Sequence, residues 1–147
     1  MNILAFGSAT MRKPKRRAGL EPDACFYVQT AALIGNKIQL DFGTDPPPDI
    51  AVEIDLHHNS LSKFPIYARL GVSEIWRYNG QTMTIYHLTR EMSENEPRYV
   101  EQETSSALPM LTAELLTNML DRMRKDGELN ALLAFDDWLQ SHHISKE

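Results

Sequence analysis

A single cysteine, Cys25, stands in the 147 residues, which excludes an intramolecular disulfide and, by itself, a cysteine-based zinc centre. No stretch approaches the roughly 18 consecutive apolar residues of a membrane span. The opening segment MNILAFGSATMRKPKRR places apolar residues before basic ones, the reverse of a secretory signal, so the cytoplasm is the expected compartment. An excess of positive charge is also missing. The net charge is -5, so any grip on nucleic acid must come from a local patch rather than from the field of the whole molecule. There is no glycine-rich phosphate loop, no internal repeat and no low-complexity tail.

The remaining composition is that of an ordinary globular protein, with 42% apolar and 24% charged residues. The length suits one domain, expected to run over residues 1–147. One local basic patch is present: Arg12, Lys13, Lys15, Arg16 and Arg17 fall within six residues. On its own such a run reads as a solvated loop. Beside acidic metal ligands it would contact the phosphates of a nucleic acid.

The pattern of residues predicts a mixed sheet with helices. Residues 2–8 read as a short strand, and the basic loop then runs to Gly19. Residues 23–29 have strand composition, with Pro22 at a start where a missing N–H does little harm. Residues 30–37 read as a helical turn or loop, and 38–42 as a short extended piece. Three prolines at 46–48 stiffen the entry to the next strand. There Ile50, Val52, Ile54 and Leu56 alternate with Asp49, Ala51, Glu53 and Asp55, the period of two of a strand with an aliphatic and an acidic face. Ser62 reads as the cap of a helix from Lys63 to Leu70, with Pro65 in its first turn and Gly71 at its end. Asn79-Gly80 marks a hairpin between two strand-like runs, and a third strand is expected near 97–102. After Pro109 the spacing of Leu and Met turns helical, broken at Gly127 into two helices over about 110–141. The order predicts an α/β or α+β domain with a mixed sheet and a helical C-terminal extension. The Leu and Met stripe reads as core or as the surface of a homodimer.

The acidic face of the strand at 49–55 is the most informative feature. A stripe of carboxylates on one face repels itself unless a counter-charge is supplied, and a divalent cation supplies one. If the strands at 23–29 and 49–55 pair antiparallel, Asp23 lies near Glu53 and Asp55. Asp49 stands about 13 Å from Glu53 at strand rise, too far to share an ion. Asp23 and Glu53 are then the expected metal pair, and Asp49 is structural. Hard oxygen donors favour Mg2+ or Mn2+. An exposed edge strand remains the plainer reading of the same stripe. His57 and His58, next along the chain, read as solvated loop residues.

These residues carry a family resemblance. Pro22-Asp23, Pro48-Asp49, Val52-Glu53, Lys63 and the run LGVSEIWRY, in this order and spacing, resemble the Uma-type restriction endonuclease family of the PD-(D/E)xK nuclease superfamily, found mainly in cyanobacteria. The resemblance spans roughly residues 7–110. It implies a restriction-endonuclease-like mixed central sheet flanked by helices, Mg2+ or Mn2+ as cofactor, and DNA as substrate. Asp23 and Glu53 take the metal-binding positions of that superfamily. The lysine it places two residues after the Glu is replaced by Asp55. Lys63, at the start of the next helix, is the candidate in its stead, against the alternative of an exposed first-turn lysine; Asp55 is a candidate third ligand. Family members also usually carry a preceding helix and hairpin that cover the sheet, and the resemblance implies a shortened N-terminal side here. The expected function is metal-dependent endonucleolytic hydrolysis of DNA, with Asp23, Glu53 and Lys63 as catalytic residues. The alternative is an inactive nuclease-fold module that binds nucleic acid or protein.

Overall fold

Residues 2–7, 11–13, 18–89 and 96–143 are described in the computed structural model of the chain. An N-terminal antiparallel pair, one acidic strand and a three-strand meander rich in β-branched and aromatic residues supply a six-stranded sheet. Its strands are β1 (Leu4–Phe6), β4 (Ala24–Tyr27), β5 (Ile50–Ile54), β6 (Glu74–Tyr78), β7 (Met83–Thr89) and β8 (Arg98–Gln102), in that spatial order. A separate small hairpin joins β2 (Met11–Lys13) to β3 (Ala18–Leu20). All neighbours in the large sheet are antiparallel except β5 and β6, which run parallel. Parallel neighbours need a crossover. Here it is a 3₁₀ turn (Ser60–Lys63) leading into helix α2 (Phe64–Leu70).

The alternation of side chains along β5 and β6 divides the core between the two faces of the sheet. Ala51 and Ile75 point to one face, where they meet Met11, Tyr67, Leu70 and Val72. Ile50 and Trp76 point to the other, where they meet Tyr78, Met83, Ile85 and Leu111. The first face is covered by α2 and by the residues of the β2–β3 hairpin that join its core. The second is covered by α3 (Ala113–Asp126) and α4 (Glu128–His143), through Leu116, Leu120 and Phe135. The short helix α1 (Ala31–Ile34) packs Ala31 and Ile34 against Tyr27 near the β1 edge. This is an α+β domain, a mixed sheet flanked by helices. Among the described residues no helix is long and apolar enough to cross a membrane.

Several elements differ locally from the expectation. Residues 38–42 form no strand: bend and irregular chain lead into a turn at 42–44, where Asp41 accepts from Gly43 N at 2.9 Å and Asp45 accepts from Asp41 N at 2.7 Å; local carboxylate bonds to the backbone compete with a strand. Ser62 caps nothing. Asn59 is the cap, accepting from Leu61 N at 2.9 Å, and it opens the 3₁₀ turn that precedes α2. Part of the basic segment is not loop: Arg12 and Lys13 pair across β2–β3 with Gly19 and Ala18. Lys15, Arg16 and Arg17 lie outside the described residues.

Candidate active site

The site is built where β4, β5 and α2 meet. The antiparallel register Ala24↔Val52 brings the start of β4 beside the end of β5. One step beyond that pair, Asp23 N donates to Val52 O at 3.0 Å. The Asp23 carboxylate accepts from Ile54 N at 2.7 Å. Asp23 is therefore tied to the backbone on both sides of Glu53. Pro22, which is buried, ends the preceding segment without a wasted donor.

Glu53 projects to the α2 face and is only 2% exposed. Burial of a carboxylate is costly unless donors surround it. Lys63 Nζ lies 3.1 Å from each of its oxygens. The Tyr67 hydroxyl donates a short bond to Oε1. Lys63 and Tyr67 are four residues apart, so the 3₁₀ turn and α2 present both on one side of the crossover. That crossover is how a lysine ten positions along the chain reaches back to Glu53. Burial, then the bond to Glu53, then the charges of Glu53 and Asp23 push the Tyr67 hydroxyl far above the ordinary tyrosine range. It stays a donor.

Asp55 and Asp49 are engaged elsewhere. Asp55 Oδ2 accepts from Ser60 N at 2.9 Å, Ser60 Oγ at 2.9 Å and Arg77 Nε at 2.6 Å. Burial would raise its pKa, but Ser60 and Arg77 outweigh burial and hold it below the usual value. With an arginine already neutralising it, Asp55 is poorly placed to serve as a third ligand. Asp49 Oδ2 accepts from Val28 N at 2.7 Å, Thr30 N at 3.1 Å and Thr30 Oγ1 at 3.0 Å, which fixes the turn after β4. His57 and His58 are exposed in the turn after β5. Among the described residues no group of three His, Cys, Asp or Glu side chains is arranged to hold a metal ion.

The structure thus sets Lys63 and Tyr67 on Glu53 and ties Asp23 to the backbone on either side of it. Tyr67 was not singled out in the sequence; its i+4 spacing from Lys63 was the available signal. Arg77, the partner of Asp55, was missed as well, because its proximity depends on the parallel β5–β6 register that sets Glu53 opposite Arg77. Of the basic patch, Met11 at its edge is buried in the same core as Tyr67, so the hairpin carrying the patch is anchored on the α2 side of the sheet.

Mg2+ keeps several waters and is commonly bound by one or two carboxylates together with phosphate oxygens. Asp23 and Glu53 meet that requirement; a site made wholly of protein ligands would not be met.

Comparison with known proteins gives two findings. A family profile described as "Uma2: Putative restriction endonuclease" matches residues 1–122. A solved structure from Anabaena variabilis, described as a putative nuclease belonging to DUF820, resembles the chain at 15% identity with a TM-score of 0.47, over 79% of this chain and 68% of that one. No curated protein matches.

Proposed function

The chain belongs to the Uma2 family, and from that membership we propose that it is a metal-dependent endonuclease hydrolysing DNA phosphodiester bonds, with Asp23 and Glu53 holding Mg2+ or Mn2+ and Lys63 beside them. The observation that carries this reading is the return of Lys63 Nζ to within 3.1 Å of both Glu53 oxygens. That contact supports Lys63 in the place of the lysine missing from the strand. When bound, the ion would acidify a water and offset charge developing on the phosphate.

The side chains of this chain do the rest. Asp23 is held against the end of β5 by its bond from Ile54 N, so its carboxylate is positioned before any ion arrives. Glu53 is oriented from inside by Tyr67. The Lys63 side chain is partly exposed while it holds Glu53. Its long side chain lets it move from Glu53 toward the attacking water or a phosphate oxygen, where its charge stabilises the transition state. Arg77, neutralised by Asp55, stiffens the floor of the site without adding net charge. Arg12, Lys13, Lys15, Arg16 and Arg17 would contact the DNA backbone beside the cut, and their effect should fade with salt.

One observation favours the second reading, an inactive nuclease-fold module. Glu53 is already satisfied by Lys63 and Tyr67, as a purely structural ion pair would be. Calorimetry with Mn2+ followed by a plasmid-nicking assay separates the two. Wild type should bind Mn2+ and nick the plasmid. Glu53→Ala should abolish nicking, a larger loss than the roughly 10- to 100-fold that removing a ligand's supporting partner costs, while the protein stays folded. Cleavage that survives Glu53→Ala means the site lies elsewhere.

A homodimer through the C-terminal helices is a separate proposal. It is supported by the exposure of Leu129, Leu132 and Leu133 on α4, and sedimentation of the full chain tests it.

A further inference from the structure

We infer that Tyr67 is a positioning residue that sets the affinity of the Asp23–Glu53 site for its divalent ion, by holding the Glu53 carboxylate from the buried side. The inference rests on the reading of Asp23 and Glu53 as metal ligands.

The two donors to Glu53 differ in kind. Lys63 has a flexible and partly exposed side chain, so it can exchange with an arriving cation. Tyr67 cannot. It is fully buried, and its ring is packed among Met11, Ala51, Leu70, Val72 and Ile75. Its backbone belongs to α2, which ends in a left-handed Gly71 (φ 84°) bonded back to Tyr67 O and Ala68 O. With ring and helix both fixed, the hydroxyl is a stationary donor aimed at Oε1.

A stationary donor on a ligating carboxylate has two opposing effects. It withdraws charge, which weakens the ligand. It also fixes orientation, which removes the entropy that a free carboxylate loses on binding. Loss of such supporting bonds generally lowers metal affinity by about 10- to 100-fold, so orientation outweighs charge. Without Tyr67, the inner oxygen of a buried carboxylate has no donor on the core side. Glu53 would then be held by the ammonium of Lys63 alone, on a long side chain that fixes its orientation less well.

Calorimetric titration of Mn2+ into the full chain at fixed pH tests the inference. Tyr67→Phe should weaken Mn2+ binding by about tenfold. The Mn2+ concentration for half-maximal plasmid nicking should rise by the same factor. A purely structural tyrosine would lower the melting temperature and leave affinity unchanged. Unchanged affinity in Tyr67→Phe, with normal binding in wild type, overturns this inference and leaves the proposed function standing. Absence of Mn2+ binding in wild type overturns both. If Tyr67→Phe fails to fold, ultraviolet difference absorbance of the wild-type tyrosines during Mn2+ titration decides. A band shift at the calorimetric midpoint, lost in Glu53→Gln, supports the inference, and a flat signal overturns it.

Discussion

Asp49, Glu53 and Asp55 alternate along one stretch of chain, and their partners separate their tasks. Asp49 binds backbone N–H groups after β4, Asp55 binds Arg77 and Ser60, and Glu53 binds the partly exposed ammonium of Lys63 and the Tyr67 hydroxyl. The separation of Asp49 from the others was legible as a distance along a strand. The neutralisation of Asp55 was not, because nothing in the spacing of residues 55 and 77 announces that β5 and β6 are parallel neighbours. A pH prediction follows from Asp55. Its folded pKa is depressed from 3.8, so it contributes stability that is present above that unfolded value and lost as pH falls through the lower folded value. Asp55→Asn should therefore destabilise the protein at pH 7 by about 3 kcal/mol, the lower end for breaking a buried pair. The gap to wild type should narrow only in strongly acidic solution. Urea unfolding of both proteins at pH 7 and near pH 3 checks the sign; a gap that grows on acidification contradicts it.

The elements show where periodicity was sufficient. The hairpin at Asn79-Gly80 and the break at Gly127 were both legible, since each glycine takes a positive φ that other residues resist, 92° and 85°. Capping at the 3₁₀ turn was less so: Asn59 and Ser62 are both good cap residues, and only the turn before α2 selects Asn59. Strand β5 shows a deeper difference. Its acidic Glu53 is buried, while Ile54 and Leu56 at its aliphatic end are 50% and 59% exposed. Alternation located the two faces correctly but not which one α2 would cover near the strand's end. Thr112 was hidden in a run of helical spacing, yet it caps α3 by accepting from Leu115 N at 3.0 Å. Thr112→Ala should cost about 1 kcal/mol, seen as a lower urea midpoint with the unfolding slope retained.

At the scale of the molecule, one buried carboxylate joins the sheet to the helical layer. Glu74, 1% exposed, accepts from the Trp76 indole and from Ser106 N and Ala107 N, on the turn that leads to α3. Glu74→Ala strands three donors, and the loss should be about 3 kcal/mol or more. Because Glu74 lies on the α3–α4 face, opposite Glu53, Mn2+ affinity measured by calorimetry should stay near wild type. Loss of affinity would show that the two faces are coupled. The amino-acid sequence by itself determined the strand and helix periods, the placing of Asp23 beside the end of β5 and the family, because these rest on local spacing and on one antiparallel register. Only the tertiary structure decided that Lys63 reaches both Glu53 oxygens, that Tyr67 holds Glu53 from within and that Arg77 silences Asp55. Those contacts are made across the β5–α2–β6 crossover, where residues far apart in the chain are set side by side by packing and not by any periodicity.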